Sequence, residues 1–303
     1  MGDGHGDWTG RRVLVTGGTG FIGSRIVARL ASLDAETHLA VRRPVPVDRA
    51  HVVDLGDPDA CLALVAAVEP QVVLHLASMV SGARGVDLVV PMMRANQGFA
   101  VNLLAAVAQA APAARVVLAG SIEENLGGDE SAPTSPYTAA KLAATSYATM
   151  FARLWDLPVS VLRIAMVYGP GQADRSKLVP SVTTALLRGE DPPVSSGRRL
   201  VDWVFVEDVV DAFLGAARES TPPGTVVDVC SGEPVTIRET LDRLARIVGS
   251  SAAPRFGAIP DRVADVAQIG DPRAAAEVIG WRPTTSLDDG LRRTVDWYAE
   301  HPT

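Results

Sequence analysis

The stretch Thr16-Gly17-Gly18-Thr19-Gly20-Phe21-Ile22-Gly23 decides how this chain folds. Before it, Arg12–Thr16 is a short apolar, β-branched run of strand type. After it, Phe21–Leu33 carries the spacing of an amphipathic helix. Gly18, Gly20 and Gly23 satisfy G-x-G-x-x-G, and Gly17, Gly20 and Gly23 also satisfy G-x-x-G-x-x-G. Without Cβ atoms, such a loop lets a pyrophosphate sit against backbone N–H groups at a helix N-terminus, and Gly23 lets that helix lie close to the strand. A glycine motif alone is a weak signal. Flanked by strand and helix, it predicts a phosphate-cradling turn made by Gly17, Thr19, Gly20, Phe21, Ile22 and Gly23.

Outward from this turn the same alternation repeats. Thr37–Val41, His51–Val53, Gln71–His75, Arg115–Leu118 and Val159–Arg163 read as strands; Asp57–Val68, Leu88–Ala110 and Pro136–Trp155 read as helices. Several of the strands are apolar throughout, which fits burial on both faces. The pattern predicts an α/β fold of the Rossmann type, a doubly wound parallel sheet with right-handed crossovers. From about Gly169 the spacing loosens. Helices at Leu178–Arg188, Glu207–Ala217, Ile237–Val248 and Ser286–Ala299, with short strands such as Val226–Val229 between them, predict a smaller mixed α/β lobe. The expected division is a dinucleotide-binding domain over 1–168 and a mainly substrate-binding lobe over 169–303, interleaved with the first.

Composition narrows the partners. A net charge of -7 argues against a nucleic-acid binder. No apolar run reaches the roughly 20 residues that a membrane-spanning helix needs. Met1–Gly10 lacks the order of a signal peptide, so a cytoplasmic protein is expected. Cys61 and Cys230 suit core packing and show neither a disulfide framework nor metal-ligand spacing, so no metal is expected.

Two further segments carry chemistry. The residue ending the second strand of this fold faces the adenosine ribose, where an acid selects NAD and an arginine accommodates the 2′-phosphate of NADP. Here that strand runs into Arg42 and Arg43, and the nearest acids, Asp34 and Glu36, precede it. Either the two guanidiniums hold a phosphate, which makes NADP(H) the expected cofactor, or they are solvated loop charges. Tyr137 and Lys141 are spaced i and i+4 and share one helix face. A phenol is a poor base near neutrality, and a neighbouring ammonium is expected to lower its pKa. In the reductive direction the same tyrosine donates a proton to a carbonyl oxygen.

Together, T-G-G-T-G-F-I-G (16–23), Ser135-Pro136-Tyr137-Thr138-Ala139-Ala140-Lys141, the stretch Leu162–Gly171 and the closing Gly280-Trp281-Arg282-Pro283 resemble the extended short-chain dehydrogenases, which include nucleotide-sugar epimerases, dehydratases and ketoreductases. The resemblance implies a catalytic set of Ser121, Tyr137 and Lys141, with Ser121 orienting the substrate oxygen and Lys141 also holding the nicotinamide ribose. It implies cofactor contacts from Asp54 and Leu55 at the adenine, from Leu76, Ala77 and Ser78 after the fourth strand, from Asn96, and from Ile164 and Val167 near the nicotinamide. Substrate contacts are implied for Glu123, Met166, Arg199 and Arg262. Glu123 faces either substrate or solvent, and Met166 stands where many members carry Asn. Ile122 interrupts the Ser-Asp-Glu order of the dehydratases, and the Gly120–Glu124 loop looks most like reductases of 4-keto-6-deoxy sugars. The expected activity is therefore NADPH-dependent reduction of a nucleotide-linked keto sugar. The alternatives are an NAD-dependent 4-epimerase and a non-catalytic nucleotide-sensing protein. Family likeness also implies a homodimer.

Overall fold

Val13, Leu14 and Val15 are fully buried, and β1 (Arg12–Thr16), which they form, lies inside the main sheet. The structure is a computed structural model and describes residues 7–125, 132–218, 220–261 and 267–302. The chain continues through α1 (Phe21–Ser32), β2 (Glu36–Val41), β3 (Ala50–Val52), α2 (Pro58–Val68) and β4 (Val72–His75). Next come α3 (Val89–Met92), α4 (Phe99–Ala110), β5 (Arg115–Ser121), α5 (Pro136–Trp155) and β6 (Val159–Ile164). The remainder comprises β7 (Met166–Tyr168), α6 (Leu178–Leu187), β8 (Pro193–Val194), β9 (Leu200–Val201), β10 (Trp203–Phe205), α7 (Val206–Ala216) and β11 (Thr225–Val229). After these follow β12 (Val235–Thr236), α8 (Ile237–Val248), β13 (Arg255–Phe256), α9 (Arg273–Val278) and α10 (Leu287–Glu300).

The chain forms two compact units. The first comprises Met1–Arg163, Val210–Asp228 and Arg273–Trp281; the second comprises Ile164–Val209, Val229–Pro272 and Arg282–Thr303. The seven-stranded sheet has the order β3-β2-β1-β4-β5-β6-β11. β1 pairs in parallel with β2 and β4, β2 with β3, and β4 with β5. This is the Rossmann-type order, and it reverses between β1 and β4, the topological switch point at which sheets of this kind bind their ligands.

The apolar strands and helix faces explain the first unit's core. Leu14, Val73, Val116 and Val161 from the sheet pack with Val65 of α2, Leu103, Leu104 and Val107 of α4, and Ala144 and Ala148 of α5. Fully burying each such aliphatic side chain contributes about 1.5–3 kcal/mol. Alanine on α5 lets that helix come close to the sheet.

Two expectations are corrected here. Val226–Val229, expected among the strands of the smaller lobe, lies in β11, the edge strand of the main sheet, where Val227 and Val229 are buried. Leu88–Ala110, expected as one helix, is broken into α3, a π-helical segment Met93–Gly98 and α4. A π turn re-aims the side chains of a helix and is common beside functional sites.

In the second unit β7 pairs with β10 in parallel, β9 with β12 antiparallel, and β8 with β13 in parallel. Tyr168, Trp203 and Phe205 form an edge-to-face aromatic centre, with Leu186 of α6, Leu241 and Leu244 of α8 and Leu291 of α10 packed around it. Val201 is a member of this core.

Candidate functional site

Gly17 adopts φ +70°, a left-handed conformation that a side chain disfavours, and a Cβ there would lie 2.6 Å from the backbone N of Ala77. The loops after β1 and β4 therefore meet backbone to backbone at the switch point. Thr16 ties them: its Oγ1 accepts the Ala77 N–H at 3.1 Å and lies 2.8 Å from Nδ1 of His75, and its carbonyl accepts the Leu76 N–H. A Cβ at Gly23 would run into the Gly17 carbonyl, so α1 starts directly against the loop. Its N-cap, Gly20, is extended and brings no side chain to the first turn. The amide groups at that helix N-terminus are thus presented to an anion rather than capped by the protein. Thr19 and Gly20 are exposed, while Phe21 and Ile22 are half-buried. The cradle fits a dinucleotide pyrophosphate.

At the end of β2, Val41 is buried, and Arg42 and Arg43 follow it as exposed side chains. Neither makes an ion pair among the described residues. Glu36, at the opposite end of the strand, is engaged by Arg49 and His38, both at 3.3 Å. Of the pair expected at the adenine, Asp54 is exposed and its Oδ1 accepts the Gly56 N–H. Leu55 is buried, its side chain packed in the hydrophobic core.

The structure brings Ser121, Tyr137 and Lys141 together. Ser121 is the last residue of β5 and caps a 3-10 turn, Ile122–Glu124, its Oγ accepting the Glu123 N–H at 3.3 Å. Ser135 caps α5 by accepting the Thr138 N–H, and Pro136 at the first helical position presets its backbone. Tyr137 therefore stands in the first turn and Lys141 one turn later. Ser121 is a hydrogen-bond partner of the Tyr137 side chain. The Lys141 Nζ lies 5.8 Å from the Tyr137 ring centroid and donates to the Ala119 carbonyl at 2.7 Å.

The expectation that Lys141 lowers the phenol pKa is corrected. Burial of the phenol pushes it up, the Glu123 carboxylate adds to this, and the Ser121 hydrogen bond only partly opposes it. Burial also pulls Lys141 down, to about 8, against the opposing pull of Glu124. Desolvation therefore dominates the phenol.

Glu123 does not stand free in solvent: its Oε2 accepts the Thr138 hydroxyl hydrogen at 3.0 Å. Glu124 is buried and accepts from the Ser121 N–H and the Thr145 hydroxyl, both at 2.6 Å. Thr145 continues the face of Tyr137 and Lys141 by another i+4 step, and that spacing was the signal available in the sequence. Asn96 sits in the π-helical segment. Its Oδ1 accepts from the Ser78 hydroxyl at 2.6 Å and the Met79 N–H at 2.9 Å, and its Nδ2 donates to the Met79 carbonyl. It is a clamp on the loop after β4. Ile164 is buried and Val167 half-buried in the second unit, Met166 is exposed there, and Arg199 is half-buried next to β9. Arg262 lies outside the described residues. Among the described residues no group of His, Cys, Asp or Glu is arranged to hold a metal ion, and no helix is long and apolar enough to cross a membrane.

Known proteins share this arrangement over nearly the whole chain. A UDP-glucose 4-epimerase of Mycolicibacterium smegmatis is 32% identical, covering 95% of this chain and 98% of its own length. The structure of MoeE5 in complex with UDP-glucuronic acid and NAD superposes with a TM-score of 0.84 at 32% identity, covering 95% of this chain and 99% of that one. The UDP-glucose 4-epimerase of Thermotoga maritima with UDP-glucose gives a TM-score of 0.86 at 27% identity, with the same coverage. Residues 13–230 match the NAD dependent epimerase/dehydratase family. With the glycine cradle at the switch point and the Tyr-Lys helix beside it, the chain belongs to that family of nucleotide-sugar enzymes.

Proposed function

We propose that the protein is an NADP(H)-dependent reductase of a nucleotide-linked keto sugar, a 4-keto-6-deoxyhexose, with Ser121, Tyr137 and Lys141 as its catalytic residues. The observation that carries this reading is the end of β2, where two exposed arginines with no ion-pair partner among the described residues stand in place of an acid. Such a pair binds a 2′-phosphate through charge-assisted hydrogen bonds. The raised pKa of Tyr137 supports the same direction, because a proton donor must hold its proton through the neutral range.

The nicotinamide supplies the hydride when bound. Ser121 orients the carbonyl oxygen, Tyr137 delivers its phenolic proton to that oxygen, and Lys141 holds the cofactor ribose and stabilises the phenolate left behind. Gly17, Thr19, Gly20, Phe21, Ile22 and Gly23 would hold the pyrophosphate, with Arg42 and Arg43 at the 2′-phosphate and Asp54 at the adenine. Leu76, Ala77 and Ser78 line the switch point, and Asn96 keeps them in place. Ile164 and Val167 are assigned to the nicotinamide side. Glu123, Met166, Arg199 and Arg262 are assigned to substrate.

Affinity for NADPH against NADH tests the reading. The protein is expected to prefer NADPH, and Arg42→Ala or Arg43→Ala each to weaken NADPH about 10- to 100-fold with little effect on NADH. Reduction of a thymidine- or uridine-diphosphate 4-keto-6-deoxyglucose, followed by NADPH absorbance, then measures the activity. A second reading is favoured by the likeness to the two 4-epimerases. Protein purified with NAD bound and indifferent to the 2′-phosphate would transfer the proposal to 4-epimerisation, assayed with UDP-glucose.

We also propose a homodimer through α5 and its neighbours. Val86 (87% exposed), Val89, Val90 (61%) and Met93 lie before and at the π turn, and Tyr147, Leu154 and Trp155 lie on α5, which packs against α3 and that turn. An apolar set of this size on a folded surface marks an interface. Light scattering is expected to give twice the chain mass, and Val90→Glu to give the single-chain mass. A wild-type monomer would refute it.

A further inference from the structure

We infer that Glu124 is the positioning residue of the catalytic group: its carboxylate locks the Ser121 loop to the helix bearing Tyr137 and Lys141, and is the counter-charge of the Lys141 ammonium. The inference rests on the catalytic assignment proposed above.

The geometry is specific. Glu124 is only 4% exposed, yet each carboxylate oxygen has a short donor. Oε1 takes the backbone N–H of Ser121 at 2.6 Å, and Oε2 takes the Thr145 hydroxyl at 2.6 Å, one helical turn beyond Lys141. One side chain thus joins the residue that orients substrate to the helix that carries the proton donor. The neighbouring glycine makes room for it: a Cβ at Gly120 would lie 2.9 Å from Oε1 and 2.8 Å from Cγ1 of Val161.

The charges around Glu124 identify its partner. Burial raises the Glu124 pKa, and the hydrogen bonds from Thr145 and Ser121, followed by the charges of Lys141 and Arg163, oppose it. Arg163 is already neutralised, since its Nε and Nη2 both reach Oδ1 of Asp228 at 2.7 Å. Asn125, directly after Glu124, donates to the other Asp228 oxygen at 3.2 Å. His75, which also feels the Lys141 charge, is kept neutral by burial. Lys141 is the other charge acting on Glu124; the two side chains form no ion pair among the described residues, and Glu124 acts through space to raise the Lys141 pKa against burial. A buried lysine without such a partner loses its proton near neutrality.

The sequence offers a direct test. Of 28 basic residues only Lys141 and Lys177 are lysine, so lysine labelled at Cε gives two resonances, assigned with Lys177→Arg. In the ligand-free wild type the Lys141 resonance is expected to titrate near pH 8. In Glu124→Gln, which keeps an acceptor and the side-chain shape, its midpoint is expected to fall by about 0.5–1 pH unit. Should that variant not fold, Glu124→Asp withdraws the charge by one methylene and is expected to move the midpoint the same way by less. In turnover, the alkaline limb of kcat shifts down with the lysine, and kcat falls while KM stays within about twofold. A Lys141 midpoint unchanged in a folded variant overturns the inference. The lysine titration needs no substrate, so it decides even if neither reduction nor epimerisation is found.

Discussion

Replacing Tyr137 with Phe is expected to lower kcat about 100- to 10,000-fold, the usual contribution of a positioned general acid. Only the phenolic hydroxyl is lost, and with it the hydrogen bond to Ser121. Stability should therefore change by no more than about 1 kcal/mol, and the affinity for NADPH by little. Fluorescence titration with NADPH and a thermal melt separate these effects from the kinetic one. The pH dependence of reduction follows from the same groups. Burial holds the phenol protonated, so the acid form persists above neutrality. Activity should first decline as pH rises through about 8, where Lys141 loses its charge. A Phe variant retaining activity within tenfold of wild type would remove Tyr137 from the mechanism.

The protein is also expected to lose stability steeply on mild acidification, through His75. This imidazole is buried at the end of β4 beside Thr16, and burial first, then the Lys141 charge, depresses its pKa to about 3. In the unfolded chain it titrates near pH 6.5. The unfolded state thus binds more protons over this interval, so the stabilisation is complete above about pH 6.5 and is lost as pH falls toward 3. Each pH unit removes about 1.4 kcal/mol, and the whole interval about 5 kcal/mol, a large part of a domain's usual stability. His51, depressed by burial and by His38, acts in the same sense. Urea unfolding at pH 7.5, 6.5, 5.5 and 4.5 should show His75→Gln less stable at neutrality but markedly flatter with pH. Parallel curves for variant and wild type would assign the acid sensitivity to other groups.

The sequence made the first half of the protein readable because its signals are local. A strand, a glycine loop and a helix follow each other within Arg12–Ser32, and each is fixed by neighbours in the chain. Ser135 and Pro136 announce the start of α5, so the placement of Tyr137 and Lys141 on one face needed no tertiary information. Arg42 and Arg43 were readable for the same reason, being the first residues past a strand. Other expectations failed where the deciding contacts are distant. By its position in the chain Val226–Val229 reads as a strand of the smaller lobe, and only β6 beside it makes it part of the seventh strand of the main sheet. The strands of the second unit, two or three residues each, are too short for alternation to show.

What the sequence determined by itself is the parallel α/β fold, the glycine loop between a strand and a helix, and the placement of Tyr137 and Lys141 on one helix face, since these rest on spacing and backbone stereochemistry. What only the tertiary structure decided is the electrostatics around Ser121, Tyr137 and Lys141. Glu124 and Thr145 are 21 residues apart and Arg163 and Asp228 are 65 apart, and both pairs meet only when β5, β6, β11 and α5 are assembled. Whether Tyr137 holds its proton and Lys141 keeps its charge depends on burial and on these partners, and burial is a property of the packed molecule rather than of any stretch of the chain.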